Sequence, residues 1–273
     1  MAEEASAICE AGLTMIEDGL ISEMALALRQ AGKEPAVLSP IADVATAYAI
    51  QNANTAEGLA AGRRIVGVKV GLTTAAAQTA FYAREPTVGV LFGDMECPDA
   101  SLVLSHRLRQ PQAEGEIAFV LARDLIEPEP SLAEVIAAVD FLLPAIEIVD
   151  HRQDSWTMPL TNVIADNACA GLYVLGGSPR RLGDVDLWLC GMVLEINGEP
   201  ASTGAGLASL GNPLNALRWV AGHLARTGRP LRAGNVILSG ALGPMSPIRS
   251  GDVVSLRIAG LGSCSFILGE DRP

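Results

Sequence analysis

The chain has 273 residues, 49% of them hydrophobic and 18% charged, which is enough apolar material for one large core. A formal net charge of −12 excludes nucleic acid as a partner, because phosphate binding needs a basic patch. It also gives no attraction to anionic membranes, and no apolar run reaches membrane-spanning length. An acidic substrate must therefore be met by a local cation, either a metal ion or one placed Lys or Arg.

Residues 6–31 carry a loose helical period through Ile8, Leu13, Ile16, Leu20, Met24 and Leu28, closed by Gly32. Ser39-Pro40 reads as an N-cap and first helical residue of a helix running to about Ala60, with Gly62 past its end. From Arg64 the pattern changes to short strands. Ile65–Val70 is β-branched, and Glu114–Leu121 alternates. Ser131-Leu-Ala-Glu134 is a capping box for a helix to about Phe141. Pro144 then precedes a strand over Ala145–Val149. Asn197-Gly198 predicts a type I′ hairpin, and Asn212-Pro213 caps a helix over Leu214–Arg226 that Gly228 stops. Strands follow at Val236–Leu238, Val253–Ile258 and Ser263–Leu268.

This predicts an α+β chain: a helical N-terminal region over 1–63 and a β-rich catalytic domain over 64–273, without βαβ alternation. The glycines of Thr203–Gly206 and Gly240–Gly243 do not sit in strand-to-helix turns, so a dinucleotide or P-loop reading fails on context. The five Cys (9, 97, 169, 190 and 264) are odd in number and lack C-x-x-C spacing. With no basic region behind Met1, a reduced, cytoplasmic protein is expected.

Three acids stand out. Glu114 and Glu116 share one face of a strand, about 7 Å apart, with Ile117, Phe119 and Leu121 on the other. Gly115 between them leaves room for another backbone. Glu147 interrupts the apolar strand Ala145-Ile-Glu-Ile-Val149, where a lone buried carboxylate is costly. Any one of them alone reads as an exposed acid; the three together favour a shared cation. His106, His151 and His223 are the only histidines and are not paired in spacing. That disfavours zinc and suits Mg²⁺ or Mn²⁺. Lys69 lies in an apolar strand and is one of only two lysines, with Lys33, against 17 arginines. It is a candidate proton carrier or fixed cation, or else a Lys snorkelling from a strand end.

Gly67-Val-Lys-Val-Gly-Leu-Thr73, Glu114-Gly-Glu-Ile-Ala-Phe-Val120, Pro144-Ala-Ile-Glu-Ile-Val-Asp150 and Ala165-Asp-Asn-Ala168 resemble motifs of the 2-keto-4-pentenoate hydratase and 4-oxalocrotonate decarboxylase family, within the fumarylacetoacetate hydrolase superfamily. The likeness continues through Asn212-Pro-Leu-Asn-Ala216, Leu238-Ser-Gly-Ala-Leu-Gly-Pro-Met245 and Gly260-Leu-Gly-Ser263, from about Ile41 to Leu268. It implies a mixed β-roll and a Mg²⁺ or Mn²⁺ ion on Glu114, Glu116 and Glu147. The catalytic candidates are then Lys69 and Asp166, the latter orienting the former. Thr73, Cys169 and Ser239 become candidate substrate contacts.

The substrate implied is a small 2-oxo or 2-hydroxy acid from the meta-cleavage of aromatic compounds. The chain is expected to be a homo-oligomer, or to join a pathway decarboxylase or hydratase. The run from Ser239 to Met245 is more similar to the hydratases. Hydration of a 2-hydroxy-2,4-dienoate is therefore the leading expectation. Decarboxylation of a 2-oxo-3-enedioate, acylpyruvate C–C hydrolysis (with His151 the nearest histidine) and a non-catalytic partner subunit are the alternatives. Three positions depart from the family pattern: Thr87 replaces an Asp after Glu85-Pro86, Cys169 replaces a Ser, and Asn212 replaces a His. The first two bear on substrate orientation and proton delivery.

Overall fold

Helix α1 (residues 19–30) buries Met24, Ala25 and Leu28, while Leu20, expected on the same face, is exposed. The computed structural model describes residues 19–32 and 34–269; the start of the predicted first helix and Lys33 lie outside the described residues. Helix α2 (Val44–Ala60) begins later than Ser39-Pro40 predicts. Asp43 is the N-cap instead, its carboxylate accepting the Thr46 N–H at 2.8 Å, and Pro40 lies outside any helix or strand. Ala61 closes the helix and Gly62 follows at φ +84, a left-handed exit that glycine adopts freely. Met24, Leu28, Ile41 and Ile50 form a small core with Ile164. Gln51 of α2 is buried and donates to the carbonyls of Val88 (2.8 Å) and Ile164 (3.1 Å). A side-chain amide thus ties the helical layer to the β body.

That body begins with β1 (Ile65–Gly71), α3 (Ala75–Ala80), β2 (Thr87–Phe92), β3 (Glu96–Cys97), β4 (Ser101–Leu104) and β5 (Gln112–Leu121). It continues through α4 (Leu132–Ala138), β6 (Val139–Val149), α5 (Leu160–Ala165), β7 (Ala170–Leu175), β8 (Gly191–Ile196), β9 (Glu199–Ala205) and α6 (Pro213–Arg226). Strands β10 (Val236–Leu238), β11 (Ser246–Pro247), β12 (Val253–Ile258) and β13 (Gly262–Gly269) complete it. One mixed sheet runs β2-β1-β10-β5-β6-β7-β3 with β11 alongside β5, and a second runs β4-β13-β12-β8-β9. Their facing sides enclose one continuous core that includes Ile117, Phe119, Ile146, Ile148, Leu256 and Phe266. Among the described residues no helix is long and apolar enough to cross a membrane.

The capping box at Ser131 forms as expected, but α4 ends at Ala138 and β6 starts at once, so Phe141 is strand rather than helix. Pro144 lies within β6, opposite Ile117, and not ahead of it. Long β5–β6 pairing outweighs the local signals here, and Pro144 still supplies its carbonyl to Gly176 N–H at 2.9 Å. Asn197 (φ 55) and Gly198 (φ 82) make the β8–β9 turn with both dihedrals positive, the type I′ geometry their sequence predicts.

Strand β1 needs a glycine for a close approach: a Cβ on Gly67 would overlap the Val236 carbonyl of β10. Gly67→Ala is expected to prise β1 from β10 at a cost of at least about 2 kcal/mol. A thermal midpoint equal to that of the unaltered protein would refute that packing.

Candidate active site

Glu114 of β5 lies directly opposite Glu147 of β6, and Glu116 follows two residues along on the same face. Gly115 points the other way, where a Cβ would press on the side chains of Leu256 and Met192. The room left by this glycine is therefore filled by side chains of the second sheet, not by another backbone as predicted. With the odd positions of β5 committed to the core, its two acids are turned outward together. One oxygen from each of Glu114, Glu116 and Glu147 falls within 4.8 Å of the others. Lys69 of β1 brings Nζ to 3.0 Å from Glu147 Oε1 and donates to the Ala168 carbonyl at 3.1 Å. Three interstrand steps separate β1 from β6, about 14 Å on a flat sheet, so the sheet's curl is what closes this pair.

Lys69, Glu116 and Glu147 are at most 4% exposed. Three carboxylates against one ammonium leave two uncompensated negative charges in a buried site. The consequence is visible in the acids. Burial pushes the Glu114 carboxyl up to about 7, with Glu147 adding to it and Lys69 opposing. Burial, then Glu147 and Glu114, pushes Glu116 well above the carboxylate range. For Lys69 burial works against the charge, but Glu147, Glu114 and Glu116 outweigh it and hold the ammonium above its ordinary range. Glu116 Oε2 accepts the Gly240 N–H at 2.7 Å. Glu116 Oε1 and Glu147 Oε2 are buried with no hydrogen-bond partner among the described residues. Orphaned, convergent, hard oxygen donors that would carry two excess negative charges when ionised fit a divalent ion of the Mg²⁺, Mn²⁺ or Ca²⁺ kind.

The carbonyl that receives Lys69 belongs to an unusual turn. Asn167, Ala168 and Cys169 hold φ of 54, 52 and 57, three successive non-glycine residues in the left-handed region. Such residues each cost roughly 1–2 kcal/mol, so surrounding bonds must hold them. Asn167 imitates a neighbouring strand: Oδ1 accepts Val90 N–H at 2.7 Å and Nδ2 donates to the Val90 carbonyl at 2.9 Å. Gly89 makes room, since a Cβ there would crowd the Asn167 carbonyl. On the other side Arg152 donates to Asp166 Oδ1 and reaches the carbonyls of Asp166 (2.7 Å) and Ala170 (2.9 Å).

The sequence led one to expect Asp166 to orient Lys69; instead Asp166 is paired with Arg152, and Lys69 with Glu147 and the Ala168 carbonyl. The influence of Asp166 on Lys69 runs through the turn. Arg152 and Asn167 were not singled out as site residues from the sequence; the signals that could have drawn attention to them are the place of Asn167 inside the Asp-Asn-Ala motif and that of Arg152 two residues past the Pro144–Asp150 motif.

A half-open cavity of about 820 Å³ lies over this cluster, lined by Lys69, Thr73, Thr87, Glu114, Ala168 and Cys169 on its polar side. Cys169 is 3% exposed, and burial followed by the Asp166 charge holds its thiol far above the ordinary range, so it serves as a neutral wall. The Thr87 hydroxyl is buried in this wall without a hydrogen-bond partner among the described residues. Ser239, expected at the substrate, is fully buried and does not line the cavity. Its Oγ accepts Ile117 N–H at 3.2 Å and its N–H donates to the Ile117 carbonyl at 3.0 Å, extending the β10–β5 ladder. Asn212 caps α6 by accepting Leu214 N–H at 2.9 Å, outside the cavity. His151 is buried edge-on against Trp156, ring centroids 4.6 Å apart, and is not a cavity-lining residue.

The fumarylacetoacetate (FAA) hydrolase C-terminal family model matches residues 53–267. The chain belongs to this family. It is 50% identical over 221 residues to the "TodF product hydratase" of Pseudomonas putida, covering 81% of this chain and 82% of that protein. It is 47% identical over 247 residues to the 2-keto-4-pentenoate hydratase of Paraburkholderia xenovorans, covering 88% and 92%. Among solved structures it resembles the 4-oxalocrotonate decarboxylase of Pseudomonas putida G7, determined with magnesium and adipate. That likeness has a TM-score of 0.85 and 32% identity, covering 91% of this chain and 97% of that one. The mixed, curled sheets and helical N-terminal region are those of the FAA hydrolase fold.

Removing Arg152 tests the turn. Arg152→Gln leaves the buried Asp166 carboxylate unpaired, at a cost of about 3–5 kcal/mol at pH 7. Burial already raises the Asp166 pKa despite Arg152, and losing the guanidinium raises it further. The variant's deficit in unfolding free energy is then largest at neutral pH and shrinks toward pH 4, as Asp166 takes up a proton in the folded state. A deficit that is equal at both pH values would contradict this account.

Proposed function

We propose that this protein is a metal-dependent hydro-lyase that hydrates a 2-hydroxy-2,4-dienoate to a 4-hydroxy-2-oxo acid. The observation carrying this reading is the triad of buried Glu116 and Glu147 with half-buried Glu114, short of two positive charges among the described residues, with Lys69 beside it at the floor of a substrate-sized cavity. The names of its relatives at 50% and 47% identity, both hydratases, support it. The three glutamates would hold Mg²⁺ or Mn²⁺. An ion bound there supplies Lewis-acid stabilisation of the negative charge that builds on the 2-oxygen of such acids.

The side chains do the rest. An ammonium has three N–H donors, and Lys69 directs two at Glu147 and Ala168. The third is free for the substrate, close to where a proton must be moved. Hydration requires the 2-hydroxyl to lose a proton while C5 gains one, leaving a C3=C4 double bond conjugated to the new 2-oxo group. Water then adds its oxygen at C4 and a proton at C3. Thr87 lines the cavity, and its hydroxyl, unpartnered in the wall, would donate to or accept from that water or the substrate. Asp166, Arg152 and Asn167 act as positioning residues by holding the turn that presents the Ala168 carbonyl to Lys69.

Decarboxylation of a 2-oxo-3-enedioate would start from the same site, and the decarboxylase neighbour was solved with adipate, a dicarboxylate. Against it stands the charge inventory of the cavity: among the described residues Lys69 and Glu114 are the charged residues that line it. A distal carboxylate would meet no cation, and an unpaired buried charge is costly.

With Mg²⁺, the protein is expected to bleach the diene absorbance of 2-hydroxypenta-2,4-dienoate without releasing CO₂, and chelation should abolish the activity. Carbon dioxide released from a 2-oxo-3-enedioate, with no loss of the diene from the pentadienoate, would sink the hydratase reading. Glu147→Gln is expected to weaken metal affinity by at least about a hundredfold, since even outer partners of ligands contribute 10–100-fold. Full activity of that variant at limiting Mg²⁺ would remove Glu147 from the site. Thr87→Val, which deletes the hydroxyl at constant shape, should lower kcat/KM by about tenfold; an unchanged value would leave the hydroxyl no role.

A further inference from the structure

The cavity is larger and more apolar than a five-carbon dienoate needs. Its volume of about 820 Å³ lies in the range that accommodates drug-sized ligands, whereas 2-hydroxypenta-2,4-dienoate has only about eight non-hydrogen atoms. The excess space has a defined place. Glu147 and Val149 are two residues apart on β6 and share a face, about 7 Å from one another. Val149 packs with Val163 and Cys169, and Phe81, Trp156 and Met158 pack against them. All six line the cavity. An apolar chamber therefore begins one side-chain step beyond the acids.

Its composition is selective. The indole N–H of Trp156 donates to the Gln110 carbonyl at 3.2 Å, so the ring offers the cavity apolar surface only. The one cation on the wall among the described residues, Lys69, is 3.0 Å from Glu147 and belongs to the acid cluster. Among the described residues no other side chain on the wall carries a positive charge.

We propose that, given the hydratase reading above, the natural substrate carries an uncharged alkyl or aryl substituent beyond C5, seated against Val149, Phe81, Trp156 and Met158. The metal-proximal end would take the 2-hydroxy acid head common to the class, and the chamber would set specificity through the tail.

The test separates tail recognition from chemistry. Binding of unreactive saturated 2-oxo acids to the Mg²⁺-loaded protein is measured by calorimetry from 2-oxopentanoate to 2-oxooctanoate, with 2-oxohexanedioate alongside. Affinity should rise about fourfold per added methylene, and the dicarboxylate should bind more weakly than 2-oxohexanoate. In parallel, kcat/KM is measured on 2-hydroxy-2,4-dienoates with hydrogen, propyl or phenyl at the distal end, and should follow the same order. A flat or falling affinity series overturns the proposal even if the five-carbon dienoate is hydrated. A rising affinity series with no dienoate hydrated upholds the apolar chamber and refutes the hydratase reading instead. Met158→Lys, at a half-buried loop position, supplies the missing cation. It should reverse the preference between 2-oxohexanedioate and 2-oxooctanoate, and an unchanged preference would place the tail elsewhere.

Discussion

Three convergent carboxylates, two of them buried and one half-buried, facing a single lysine are the constraint around which the rest of this molecule is arranged. Like charges directly opposed across a strand pair oppose folding, and here Glu114 stands opposite Glu147 with Glu116 next in register. Only part of the charge is relieved from within, by Lys69 and by the Gly240 N–H. The rest is relieved by protons or by a bound cation, which makes the site a natural receptor for one. A one-residue slip between β5 and β6 would turn the glutamates into the side chains of Leu256 and Met192. The apolar packing of the opposite face therefore also fixes the polar site.

The second sheet and the left-handed turn serve that arrangement from two sides. Residues on β8 and β12 fill the space beneath Gly115 and commit β5 to one orientation. The turn at Asn167–Cys169 carries local strain, held by Asn167 on Val90 and by Arg152 on Asp166. Strain of this kind persists where surrounding bonds over-determine it, and such places concentrate at functional sites. Here its result is concrete: a backbone carbonyl at 3.1 Å from Lys69 and a neutral thiol in the cavity wall.

Much of the fold was legible wherever local chemistry decides the backbone. Asn197-Gly198 permits two successive positive φ angles, so its hairpin needed no tertiary knowledge. Ser131 with Glu134, and Asn212 before Pro213, satisfy orphan helix N–H groups from within a few residues. Legibility failed where distant partners outvoted local preference. Asp43 displaced Ser39 as the cap of α2, and the long pairing with β5 drew Phe141 and Pro144 into a strand. Ser239 sits in a motif that looks functional, yet its hydroxyl completes a ladder. Asp166 is equally conspicuous, and its partner is an arginine fourteen residues earlier.

The acid triad marked the transition between these regimes. Period-two alternation put Glu114 and Glu116 on one face, and the cost of an acid in an apolar strand singled out Glu147. The scarcity of lysine did the same for Lys69. The residue types and their local faces were thus determined by the sequence alone, because strand geometry repeats every two residues whatever surrounds it. Their convergence was not. It depends on the register of β5 against β6, on the curl that brings β1 over to β6, and on a turn from residues a hundred positions away. Those are properties of long-range packing, where the free energy lies in contacts that no local window contains. The same holds for the chamber beyond Val149: Phe81 joins residues of a strand, a loop, a helix and a turn between 149 and 169, and only folding makes them one wall.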